Sequence, residues 1–130
     1  MPRFIPDDAN TLILLARAKL RLNTEDALNL NKRLLSLPQF KQSPVVYNEL
    51  GVILILKGDH RKAAALFSNA LSLDADNPYL NLNNAILHDY YLGDLMKARQ
   101  YYNSFLRLSA NRRELLDEYK EVQTRLEIIR

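Results

Sequence analysis

Three helix-stopping residues, Asn23, Gly58 and Gly93, stand 35 residues apart in this chain. Asn and Gly are the residues that most readily take the left-handed conformation in which a helix ends. Each is followed at once by a polar residue able to cap a new helix, Thr24, Asp59 or Asp94. A stop and an immediate start, repeated at a fixed interval, predict helical hairpins in tandem.

Five prolines and three glycines in 130 residues leave long uninterrupted stretches, and their apolar residues recur at helical rather than alternating spacing. The breakers and cap signals cut out seven helical segments, at 8–22, 24–37, 44–57, 59–73, 78–92, 94–108 and 111–130. Pro44 and Pro78 open two of them, at the position where a missing amide hydrogen costs least. Small residues keep the same register. Ala27, Ala63 and Ala98 follow the turns, and Ala16, Gly51 and Ala85 precede them, so that paired helices can approach closely. Leu35 to Leu37, Leu71 to Leu73, and Leu106 to Leu108 close the second helices alike.

A helix pair recurring at about this period resembles the tetratricopeptide repeat family, whose unit is about 34 residues. The middle copy carries the likeness, with Tyr47, Leu50-Gly51, Gly58-Asp59, Ala63, Phe67, Ala70 and the exit from Leu73 to Pro78. The third copy has Asn84-Ala85 for Leu-Gly and one extra residue before Gly93, and the first has Asn23 for Gly. The resemblance implies an all-α superhelix of three hairpins, with repeats at about 8–43, 44–77 and 78–110, forming one domain over 1–130. The remaining stretch, 111–130, puts Leu115, Tyr119, Val122, Leu126 and Ile129 on one face and turns Arg112, Glu114, Lys120 and Arg125 elsewhere. It reads as a capping helix, or else as the seam of a homodimer.

Chemistry is scarce. Without cysteine the chain has no disulfide, thiolate zinc site or cysteine nucleophile. His60 and His88 have no second ligand at metal-binding spacing; His60 reads as a packing residue, and His88 with Asp89 as a surface or groove pair. Acidic residues such as Asp7-Asp8, Glu25-Asp26 and Asp74 with Asp76 fall at helix starts and in turns, where they cap and complement the helix dipole. The net charge of +3 is mixed along the chain, Arg112-Arg113 being its nearest approach to a basic cluster, so no phosphate-tracking stripe is expected. Apolar runs such as Val52 to Leu56, five residues, fall far short of the roughly 18 needed to span a bilayer. The expectation is a protein with no enzyme activity, no cofactor, no metal, no nucleic-acid partner and no direct membrane insertion.

In the proteins this chain resembles, the first helix of each pair lines a concave face that receives a partner peptide or helix. Carried over by position, that lining is Asn10, Ile13, Arg17 and Leu20; then Val45, Asn48, Val52 and Ile55; then Tyr79, Leu82, Asn83, Ile86, Asp89 and Tyr90. The face is apolar with a few amides, and it lacks the charged clamp with which some members of that family grip a terminal carboxylate. The reading is a module that binds another protein or peptide, as scaffold or assembly factor, or alternatively as a small chaperone shielding an apolar segment of a secreted partner. Leu14 to Ala18 and Tyr47 to Val52 also resemble bacterial pilus-assembly and secretion-system repeat proteins. The start of the chain shows no signal pattern and suggests a cytoplasmic protein; the second resemblance implies instead a periplasmic domain of a lipoprotein.

Overall fold

The computed structural model describes residues 24–129, and every regular element among them is helical. Helix α1 spans Thr24–Leu35, α2 Pro44–Leu56, α3 His60–Leu73, α4 Pro78–Ile86, α5 Leu95–Ser109 and α6 Leu116–Ile129. Tetratricopeptide-like hairpins α2–α3 and α4–α5 follow α1, and α6 closes the series. Contacts divide the described residues into two compact units, 24–75 and 76–129. The expected helix at 8–22 and the stop at Asn23 lie outside the described residues.

The two glycine stops are used as their chemistry dictates. Gly58 has φ +86° and Gly93 φ +70°, a region where a side chain would be strained. After α2 the Asp59 amide donates to the Leu54 carbonyl at 2.8 Å and the Gly58 amide to Ile55 at 2.9 Å, so the turn satisfies carbonyls that the helix end leaves open. The starts are equally local. Pro44 and Pro78 both occupy first-turn positions; Ser43 Oγ accepts from the Val46 amide at 3.3 Å, and Asn77 Oδ1 from the Tyr79 and Leu80 amides at 2.8 and 3.2 Å. Asp94 caps α5 by accepting from the Lys97 amide at 3.1 Å. Asp59, the equivalent residue before α3, makes no such side-chain bond and lies 3.6 Å from Lys62 instead.

In the unit of residues 24–75, α2 is buried on nearly every side, from Val46 through Leu50, Val52, Ile53 and Ile55, as a helix apolar all round must be. Leu28 of α1 packs with Leu50 and Ile53, flanked by Leu35, Leu54 and Leu66. The hairpin closes where α3 crosses Gly51: a methyl there would sit 2.5 Å from Phe67 Cε1, and Ala63, Phe67 and Ala70 are all fully buried. The close approach is what the register of Gly51 and Ala63 anticipated; that Phe67 fills it is shown by the structure.

In the unit of residues 76–129, α4 does not run to Gly93 as an α-helix. It passes at Leu87 into a π-helix over Leu87–Leu92. The spacing explains why: Gly58 follows Pro44 by 14 residues, but Gly93 follows Pro78 by 15. Winding the extra residue into wider turns keeps the glycine at the hairpin bend, which is the usual origin of a π-bulge. Tyr102 and Phe105 of α5, with Leu115 and Val122 of the closing segment, are fully buried. Helix α6 packs on α5, and a 3-10 turn at Arg113–Leu115 precedes it.

Candidate functional site

The carried-over lining divides into three groups. Asn10, Ile13, Arg17 and Leu20 lie outside the described residues. Val45 is exposed, and Tyr79 and Tyr90 are half-buried. Asn48, Val52, Ile55, Leu82, Asn83, Ile86 and Asp89 are buried in the chain. The accessible members therefore sit at the ends of the first helices: Val45 in the first turn of α2, Tyr79 in the first turn of α4, and Tyr90 in the π-helical extension.

Asp89 is the most heavily engaged of these residues. Its side chain is 0 % exposed, and both carboxylate oxygens accept from Arg125 of α6, Oδ1 from Nη2 at 2.7 Å and Oδ2 from Nε at 2.8 Å. The Tyr102 hydroxyl of α5 donates to the same Oδ2 at 2.7 Å. One carboxylate thus ties three helices, in the fork geometry in which arginine and carboxylate pair most strongly. The π-helical turn carries Asp89 into this position. Arg125 was expected on the polar side of α6; it turns inward to pair with Asp89, and its guanidinium also lies 5.0 Å from the Tyr90 ring centroid. The hydrogen bonds to Asp89 raise the Arg125 pKa above its ordinary value against the opposing effect of burial.

His88 also differs from expectation. It is buried, its Nδ1 donates to the Asn84 carbonyl at 2.9 Å, and its ring lies 5.4 Å from that of Tyr101. This is a packing histidine rather than half of a surface pair. Of the tyrosine doublets, Tyr102 faces in and Tyr101 is half-buried, as a 100° offset requires. Tyr90 and Tyr91 are both half-buried, in keeping with the wider π-helical turn. His60, half-buried at the start of α3, stands apart from any group of metal-ligating side chains; among the described residues no cluster of three or more such residues occurs.

Burial first, and then the charge of Asp89, hold the Tyr102 hydroxyl protonated far above the usual tyrosine range. An unfolded tyrosine ionises near pH ~10, so the stability this group contributes is complete below that pH and is lost as pH rises above it. Each such group adds a slope of about 1.4 kcal/mol per pH unit. Because the unfolded group is only half ionised at its own pKa, stability measured by chemical denaturation should fall by about 1.4 kcal/mol less over the whole window from pH 9 to 11 in Tyr102→Phe than in the wild type.

Helix α6 behaves as a closing helix. Leu115, Val122 and Ile129 are buried, and the Ile129 carbonyl accepts from Arg99 Nη1 of α5 at 2.8 Å. Leu116 and Ile128 remain half or more exposed. No helix among the described residues is long and apolar enough to cross a membrane.

No family model matches the sequence, and no curated protein matches it. Solved structures do. The structure of the Yersinia enterocolitica type III secretion translocator chaperone SycD superposes with a TM-score of 0.77 at 21 % identity, covering 93 % of this chain and 81 % of that one. A crystal structure of the same chaperone in an alternative dimer gives a TM-score of 0.76 at 20 % identity, covering 93 % and 89 %. At that identity the likeness is one of fold: this chain has the tetratricopeptide-like, all-helical architecture found in SycD.

Proposed function

We propose that this chain is a small chaperone-type binding module that shields an apolar segment of an exported or assembling partner protein, and does no chemistry of its own. The observation that carries the reading is the similarity to a translocator chaperone along 93 % of the chain. The first helices support it: among their described residues the amides and acids of the expected lining are buried, and its accessible members are Val45, Tyr79 and Tyr90, large side chains suited to covering apolar groups. The chaperone reading takes precedence over that of a permanent scaffold because the structural relatives are described as chaperones. As a module acting before export, it would work in the cytoplasm.

Capture of partners from the source cell by the wild type and by a Val45→Glu/Tyr79→Ala/Tyr90→Ala variant tests these helix ends. The expected result is an exported protein retained by the wild type and lost with the variant. Equal retention by both rejects these helix ends as binding positions. A homodimer through 111–130 would draw on Leu116 and Ile128, the large apolar α6 side chains left exposed; a monomer mass independent of concentration excludes it.

A further inference from the structure

The turn from α5 to α6 holds a surface that the first-helix face does not use. Ser109, Arg112, Arg113, Leu116 and Tyr119 are prominent in the wall of an open cavity of about 380 Å³, room for one or two side chains. It lies wholly within the unit of residues 76–129.

Its charged lining is arginine alone. Arg112 is held in place: its Nε donates to Glu114 Oε2 at 3.1 Å and its guanidinium stands 5.9 Å from the centroid of the Tyr79 ring. The Arg113 side chain is exposed and makes no ion pair or hydrogen bond among the described residues. The acidic residues of this stretch are not in the wall. Glu114 is engaged by Arg112, and Asp117 and Glu118 occupy the first turn of α6, where they complement the helix dipole. The polar floor is also satisfied, since Ser109 Oγ donates to the Phe105 carbonyl at 2.6 Å. Beside the arginines and exposed Asn111, the described wall is apolar, formed chiefly by Leu116, 50 % exposed, and half-buried Tyr119.

A free guanidinium matches a carboxylate in charge and in planar geometry. An adjoining apolar wall favours an aliphatic group next to that carboxylate, and arginine with tyrosine is the pairing that dominates binding hot spots. We infer that this cavity is a second contact site, receiving an acidic side chain and a neighbouring aliphatic one from an extended segment of a partner protein. The carboxylate meets Arg113, and the aliphatic group covers Leu116 and Tyr119. The inference does not rest on the chaperone reading, because no residue of the cavity wall belongs to the first-helix face.

The test is a titration of the ¹⁵N-labelled full chain with an acetylated, amidated peptide of alternating aspartate and leucine. The expected result is saturable shifts in the amides of residues 109–119. Affinity should fall about tenfold when asparagine replaces aspartate in the peptide, and by a similar factor for Arg113→Glu. Arg113 is exposed, so that variant should keep the wild-type spectrum elsewhere, which separates lost binding from lost fold. Three results would overturn the inference: equal affinity for the asparagine peptide, unchanged binding by Arg113→Glu, or shifts confined to other helices. Inorganic phosphate saturating the same amides as tightly as the peptide would reduce the cavity to a simple anion site and would also overturn it.

Discussion

Asp89→Ala is expected to lower the unfolding free energy by about 3–5 kcal/mol, because it removes the carboxylate that both Arg125 and Tyr102 bond to and strands a largely buried charge. Arg125 keeps only 20 % of its side-chain surface exposed, and Tyr102 is fully buried. Both lose their acceptor at once. The loss belongs to the broken pair rather than to the pair itself, so the double variant Asp89→Leu/Arg125→Met should recover much of it. Urea denaturation of Asp89→Ala, Arg125→Met and the double variant measures this directly. A double variant as unstable as Asp89→Ala would mean that Asp89 serves the π-helical turn in some way other than through Arg125.

Phe67→Ala should cost a similar amount, about 3–5 kcal/mol, as the price of an aromatic-sized void in the α2–α3 hairpin. The converse change at the same contact is Gly51→Ala, which puts a methyl 2.5 Å from Phe67 Cε1 and should cost about 1–3 kcal/mol by overpacking. If ring and glycine are one joint, Gly51→Ala combined with Phe67→Leu should cost less than the two single changes added together. Additive losses would show that the ring can swing clear of the added methyl.

What could be read in advance and what could not follow from how far each signal reaches. Gly58 and Gly93 were legible because a positive φ is a demand placed on one residue, and Pro44 and Pro78 because a first-turn proline needs only its own backbone. Close helix approach at Gly51 was legible from register, though not the ring that meets it. The extra residue between Pro78 and Gly93 was visible too, but not its fate, since local spacing does not say whether an insertion is looped out or wound into a π-helix. Arg125 was misplaced because its neighbours set the polar side of α6, whereas its partner lies 36 residues away. His88 and Asp89 looked like a surface pair for the same reason: burial of a polar side chain is decided by helices far along the chain. Asn48 and Asn83 show the limit for the binding face. An amide on an apolar helix suggests a ligand contact in sequence, yet both are buried within the chain, and the accessible members of that face proved to be Val45, Tyr79 and Tyr90.

The π-helical turn and the Asp89 network also bear on how a partner could be held. Tyr90 packs under Arg125 and Tyr79 under Arg112, so both accessible tyrosines of the expected lining are backed by arginines from the closing segment. Side chains held in this way lose less freedom on binding than free ones.

The chaperone reading is tested most directly by the solubility of the captured partner. Light scattering is followed as that partner is diluted from denaturant, alone, with an equimolar amount of this chain, and with the Val45→Glu/Tyr79→Ala/Tyr90→Ala variant. Suppression of scattering by the wild type at one-to-one stoichiometry, and not by the variant, is the predicted result. A partner that stays soluble without this chain, or aggregates equally in all three, contradicts it.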